Sequence, residues 1–166
     1  MATTPSCAAR SNLAQVSARV VGLHLHERHG EHPRAVSEVT GRIGGGIDGD
    51  SHAHRAKRAV VIADRSAHDA LGLQPGDLRE QITVEGLPGV TRLEPGTELR
   101  VGGITLRING EAAPCTHIGE MLGVDDVLAF QASLSGRRGA ECTVTAVDGP
   151  ARIGDVVDVL PARVRA

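Results

Sequence analysis

Cys115 follows Pro114, precedes Thr116 and His117, and stands at the expected first turn of a short helix ended by Gly123. Helix N-termini and neighbouring imidazolium groups favour the thiolate form of a cysteine. A thiolate can serve as a nucleophile, a sulfur carrier or a soft metal ligand. From these residues alone a structural role stays equally open, because no base or orienting residue sits at a fixed spacing. The other thiols have less to offer. Cys7 lies in the N-terminal segment, and Cys142 shares one face of the alternating run Ala140, Cys142, Val144, Ala146, as a small apolar residue would. Three cysteines without a CxxC pair argue against a disulfide framework and against a structural zinc site.

Histidine gives a second signal. His52 and His54 form an HxH pair that a strand would place on one face, and His24, His26, His29 and His32 crowd an earlier stretch. Imidazole ligates zinc and iron, but no third ligand stands at a recognised spacing, so a histidine-ligated iron or zinc site is the outlying alternative. Gly44, Gly46 and Gly49 fit the letters GxGxxG. The stretch after them, Asp50 to Arg58, lacks the apolar stripe that a dinucleotide-binding helix needs. These glycines suit a loop whose N–H groups turn toward an anion, with Arg55, Lys57 and Arg58 beside it.

Several elements must position these groups. The chain of 166 residues is 40% hydrophobic and 23% charged, with a formal net charge of -2, which fits one soluble domain with one core. Trp and Tyr are absent and Phe130 is the single Phe, so the core must be aliphatic and no base-stacking platform exists; nucleic acid is not an expected partner. Lys57 is the only lysine among 18 basic residues. Arginine forks suit bidentate phosphate or carboxylate contacts, although a skewed codon composition would give the same bias. No apolar run is long enough to span a bilayer and no secretory signal is visible, so no membrane association and a cytoplasmic location are expected. Residues 1–19 are expected to form a flexible tail and residues 20–162 the domain.

Val21, Leu23 and Leu25 alternate like a half-buried strand, and Gly41 to Arg58 has no hydrophobic period and reads as an irregular loop. Strands are expected at Ala59–Ala63 and Leu78–Val84, with Asp64 or Ser66 capping a helical turn through Leu71 between them. Leu99 and Val101, then Ile104, Leu106 and Ile108, flank Gly102-Gly103 as a hairpin. Helices follow at Cys115–Leu122 and Val124–Leu134, then strands at Ala140–Ala146 and Asp155–Leu160. Six or seven short strands with two or three short helices predict a mainly β, barrel-like single domain.

Seven separated segments then coincide with one family. In order they are Gly46–Ala53 (Gly-Ile-Asp-Gly-Asp-Ser-His-Ala), Ala59–Asp64, Pro75–Ile82, Leu93–Thr97, Pro114-Cys115, Gly136–Gly139 and Ile153–Asp155. Over Val20–Leu160 they resemble the MOSC domain, the module named after the C-terminal part of molybdenum-cofactor sulfurases. The resemblance implies a β-barrel-rich fold and a molybdenum cofactor (molybdopterin) or a persulfide handled at one cysteine, here Cys115, with its sulfur as the metal ligand. It also implies that Arg79 contacts the cofactor and that Asp64 matches a polar position at a strand end. Gly49, Asp50 and His52 in the glycine loop, Thr116 beside the cysteine, and Arg137 and Arg138 would complete the side that faces the anionic ligand. Gln81 stands where many members carry Asn, a departure that keeps an amide on a longer arm.

Two mechanisms remain open on this resemblance. In one, an enzyme reduces N-hydroxylated bases or other N–O compounds at a Cys115-ligated molybdenum, with electrons from a separate reductase, since no flavin or nicotinamide motif is present. In the other, Cys115 carries a persulfide delivered by a desulfurase to a metal–sulfur cluster or cofactor, without molybdenum. The oligomeric state is not indicated.

Overall fold

A computed structural model describes residues 17–162. The chain lays down β1 (Ala18–Leu25), β2 (Arg34–Ala35), β3 (Glu38–Val39), β4 (Val60–Asp64), α1 (Arg65–Leu71), β5 (Ile82–Glu85), β6 (Glu98–Val101) and β7 (Ile104–Glu111). It continues with α2 (Thr116–Leu122), α3 (Val127–Ser133), β8 (Ala140–Val147), β9 (Ala151–Arg152) and β10 (Val156–Val159). Seven strands form a sheet in the order β10-β6-β7-β8-β4-β5-β1, and pairing of β1 with β10 through Ala18–Val157 and Arg19–Val156 closes it into a barrel. Closure leaves the seven strands without an open edge.

The apolar faces of these strands fill the barrel with aliphatic side chains, among them Val20, Leu23, Ile62, Ile82, Leu99, Ile104, Leu106 and Val144. This is the aliphatic core expected of a chain with a single Phe. A smaller cluster of Ala63, Leu78, Ile118 and Leu134 seats α2 and α3 against the barrel.

The parallel pair β4–β5 requires a crossover, supplied by α1. Asp64 caps that helix by accepting from the Ser66 N–H, and Gly72 ends it in the left-handed conformation. The hairpin at Gly102-Gly103 forms as expected, with Val101 paired to Ile104. A positive φ at Gly102 alone matches the turn type that needs glycine only at its first central position.

Three local expectations shift. The alternation Val21, Leu23, Leu25 is interrupted by a register shift between Val20 and Gly22, so Val20 and Leu23 are the residues that enter the core. The segment from Leu78 is not strand until Ile82, because Arg79 adopts a left-handed φ of 58°. The last helix begins at Val127 and not Val124, where Asp126 accepts from the Ala129 N–H as its cap. Of the expected tail 1–19, residues 1–16, Cys7 included, lie outside the described residues, and β1 starts at Ala18.

Candidate functional site

At one side of the barrel, five segments converge on a cleft of about 120 Å³. His26 comes from the end of β1, His52, Arg55 and Arg58 from the irregular loop, and Val61 from β4. Arg79 and Gln81 come from the bend before β5, Arg138 from the turn before β8 and Glu141 from the start of β8. A cleft this small falls below the several hundred Å³ of an ordinary ligand pocket and suits a phosphate-sized group.

The loop that brings His52 here is held by its own packing. A Cβ on Gly45 would stand 2.3 Å from the Ala53 carbonyl oxygen, and one on Gly46 would stand 2.6 Å from that of Ala59. These glycines therefore serve the close approach of loop backbone to itself and to the strand that follows.

Asp50 is the hub of the loop. One carboxylate oxygen accepts from the backbone N–H of His26 at 2.8 Å and lies 3.0 Å from its Nδ1; the other takes the same two atoms of His52 at 2.8 and 3.0 Å. Burial pushes the Asp50 carboxyl up, but the bonds from His26 and His52 outweigh it and hold the group well below the usual carboxylate range. The two rings meet edge to face with centroids 5.2 Å apart. His26, Asp50 and His52 place ligand atoms within 4.8 Å of one another, the spacing a metal ion would need. Four arginines around the same cleft oppose a cation there. His54 is exposed, so the partner of His52 is His26 and not its HxH neighbour.

Arg79 is 8% exposed and has no carboxylate to pair with among the described residues. Its Nη1 donates to the Glu31 carbonyl at 3.3 Å and points at the Met121 sulfur at 3.6 Å. Burial lowers its pKa most, and Arg138 adds to that; the Cys115 sulfur and the Asp50 carboxylate act in the opposite direction. Arg138 donates from Nη1 to the Ala113 carbonyl, and its Nε is buried without a partner. The cleft therefore collects more guanidinium charge than carboxylate; among the described residues only Arg58 of its four arginines is in an ion pair, 3.4 Å from Glu141.

Cys115 occupies the cap position of α2 in an extended conformation. It is half-buried, packed beside the Leu78, Ile118 and Leu134 cluster, and close enough to Arg79 for the two to interact electrostatically. Thr116 opens the helix behind it. Two residues after the cysteine, the His117 ring stacks on His29, with centroids 5.3 Å apart and planes 5° from parallel. The histidine-rich segment after β1 is thereby laid against the cysteine helix.

The remaining sequence candidates divide. Gln81 lines the cleft, but its amide is committed to the barrel: Oε1 accepts from the Val61 N–H at 2.7 Å and Nε2 donates to the Ala59 carbonyl at 3.5 Å. Gly49 takes a positive φ of 85° in the turn that presents Asp50. Asp64 accepts from the Ser66 and Leu87 N–H groups and lines a separate groove with Arg137. Sequence reasoning missed the pairing of Asp50 with His26, twenty-four residues earlier, and the place of Glu141 on the cleft wall. No local pattern announces either contact.

The fold is a closed seven-stranded β-barrel with an arginine-lined cleft, and one arginine of that cleft, Arg79, interacts electrostatically with the half-buried Cys115. The chain belongs to the MOSC domain family, whose match spans residues 40–158. Among solved structures, the YuaD protein from Bacillus subtilis aligns with a TM-score of 0.75 at 23% identity, covering 85% of this chain and 94% of that one. YiiM from Geobacillus stearothermophilus aligns with a TM-score of 0.66 at 16% identity, covering 87% of this chain and 75% of its own. YiiM from Escherichia coli gives 0.62 at 16% identity, over 89% and 72%. A search of the curated proteins found no match. No helix among the described residues is long and apolar enough to cross a membrane.

Proposed function

We propose that this MOSC domain binds a molybdenum cofactor through Cys115 and reduces N-hydroxylated or other N–O compounds with electrons from a separate reductase. The observation that carries the reading is Arg79: a buried guanidinium with no carboxylate ion-pair partner among the described residues, which lines the cleft and interacts electrostatically with the Cys115 sulfur. A buried arginine without a counter-anion calls for an anionic ligand, and a planar fork grips a phosphate through two donors.

The residues present fit such a group. Cys115 offers a soft sulfur ligand within electrostatic reach of Arg79, and Arg138, whose Nε is buried and unpartnered, joins Arg79 and Arg55 in offering donors to the phosphate. When bound, the cofactor would supply the two-electron acceptance of oxygen that N–O reduction requires. The chain's own contribution is placement. The left-handed bend at Arg79 brings its guanidinium to the cleft, Gln81 locks that bend to β4, and Asp50 orients the two imidazoles that also line it.

The test is turnover of an amidoxime to the amidine by protein from cofactor-producing cells, with a reduced viologen dye as donor. Turnover that disappears in Cys115→Ala supports the reading. Molybdenum-loaded protein that leaves amidoximes and N-hydroxylated bases untouched contradicts it.

A further inference from the structure

The Asp50 clamp leaves one nitrogen of each ring unused. An ionised carboxylate only accepts, so the Nδ1 atoms of His26 and His52, each 3.0 Å from an Asp50 oxygen, are the nitrogens that donate to it. The bonds that hold the Asp50 carboxyl well below the ordinary carboxylate range keep it ionised. What remains to each ring is Nε2.

The surroundings of the two rings differ. The His52 side chain is 20% exposed, so its ring has access to water. His26 is 1% exposed, and its Nε2 is buried with no hydrogen-bond partner. His26 nevertheless lines the cleft, as does Arg138, whose Nε is buried and unpartnered in the same way. Two orphaned nitrogens from distant parts of the chain thus border one cavity. Buried polar atoms are nearly always satisfied, so both lack the partner that an occupant would bring. Arg79, 8% exposed and with no carboxylate ion-pair partner among the described residues, lines the same cavity. A cation would satisfy the imidazole and be repelled by the arginines, whereas an oxyanion satisfies both. The cavity of about 120 Å³ sets the size of that oxyanion near phosphate.

We infer that His26 is a ligand of the phosphate in this cleft, donating from a protonated Nε2 to a phosphate oxygen while its Nδ1–H stays on Asp50. The ring is then an imidazolium, and the Asp50 carboxylate offsets its charge. The proton on Nε2 and the anion in the cleft favour each other by the same factor. The inference rests on the placement of the cofactor phosphate proposed above, and it adds an imidazole to a donor set otherwise made of arginines.

Inorganic phosphate added to cofactor-free protein is the probe. Long-range proton–nitrogen NMR at saturating phosphate should show His26 protonated on both nitrogens, with its Nε2 signal displaced from that of the free protein. A His26 Nε2 that carries no proton in the phosphate-bound protein, or that does not respond, overturns the assignment. If the Arg79 and Arg138 side-chain signals respond all the same, the phosphate placement stands without His26. His26→Leu should weaken phosphate binding by about tenfold to a hundredfold, the loss of one charge-assisted bond, and His26→Gln, whose amide keeps a donor, should recover part of it. Equal affinity in the wild type and His26→Leu also overturns the assignment. Wild-type protein that takes up no molybdenum, or reduces no amidoxime, removes the proposed function and leaves the phosphate titration to decide the role of His26.

Discussion

Arg79 reaches 3.3 Å from its Nη1 to the carbonyl oxygen of Glu31, and so ties the bend before β5 to the histidine-rich segment after β1. This contact gives that segment a physical role. With His29 stacked on His117, the segment is held against the helix that Cys115 caps, while Arg79 also lines the cleft. The expected consequence is a separation of binding from folding. Arg79→Ala retains the left-handed backbone and loses two long contacts, so stability should change by about 1 kcal/mol or less. Retention of cofactor through gel filtration should fall by about tenfold to a hundredfold, as expected for loss of a charge-assisted bidentate pair. Arg79→Lys, a point charge without the fork, should recover only part of it.

The thiols Cys115 and Cys142 should separate cleanly by chemistry. Cys142 is fully buried on β8, and burial pushes its thiol up, whereas Cys115 is half-buried at a helix cap. Alkylation of native protein followed by peptide mass spectrometry should label Cys115 and spare Cys142 until the protein is unfolded. Equal labelling of both in the folded protein would place the wrong sulfur at the site.

A buried pair beneath the cleft predicts a pH window for stability. Glu80 is 0% exposed and accepts from His68, the Gly76 N–H and Thr83. Burial pushes Glu80 up, but these bonds outweigh it and hold the carboxyl below its ordinary 4.5. Burial pushes His68 down, and the Glu80 bond and charge outweigh that and hold it above 6.5. The Glu80 contribution is therefore complete above 4.5 and is lost as pH falls through its lowered value. The His68 contribution is complete below 6.5 and is lost as pH rises through its raised value. Thermal unfolding should show a stability plateau between the two, and Glu80→Gln, which strips the partner from a buried imidazolium, should cost about 3 kcal/mol there. A Tm profile in Glu80→Gln that keeps both flanks would refute the pairing.

Loop packing is testable at Gly46. A methyl group there would meet the Ala59 carbonyl oxygen at 2.6 Å, a backbone atom that cannot step aside cheaply. Gly46→Ala should cost about 2 kcal/mol, or roughly 4–8 °C in Tm for a chain of this size. Because the same loop carries Asp50 and His52, the NMR signals of the His52 ring should shift as well.

Elements with local signals could be read from the sequence. The Gly102-Gly103 hairpin, the Asp64 cap and the Gly123 helix stop all rest on residues adjacent in the chain. The β1 alternation failed because a bulge at Val20–Gly22 inserts a residue that periodicity cannot anticipate. The strand expected from Leu78 failed because Arg79 takes a conformation that L-residues avoid, and nothing in the letters Leu-Arg-Glu-Gln signals it. His52, Arg79 and Arg138, singled out by family resemblance, line the cleft, and Cys115, singled out by its neighbours, interacts electrostatically with Arg79. The Asp50–His26 clamp depends on barrel closure bringing distant segments together, so only the folded chain reveals it.

Molybdenum content tests the central claim most directly. Protein purified from cells that make the cofactor should carry about one molybdenum per chain, abolished in Cys115→Ala and retained in Cys142→Ala. Equal retention in all three, or no metal in the wild-type protein, would contradict the account.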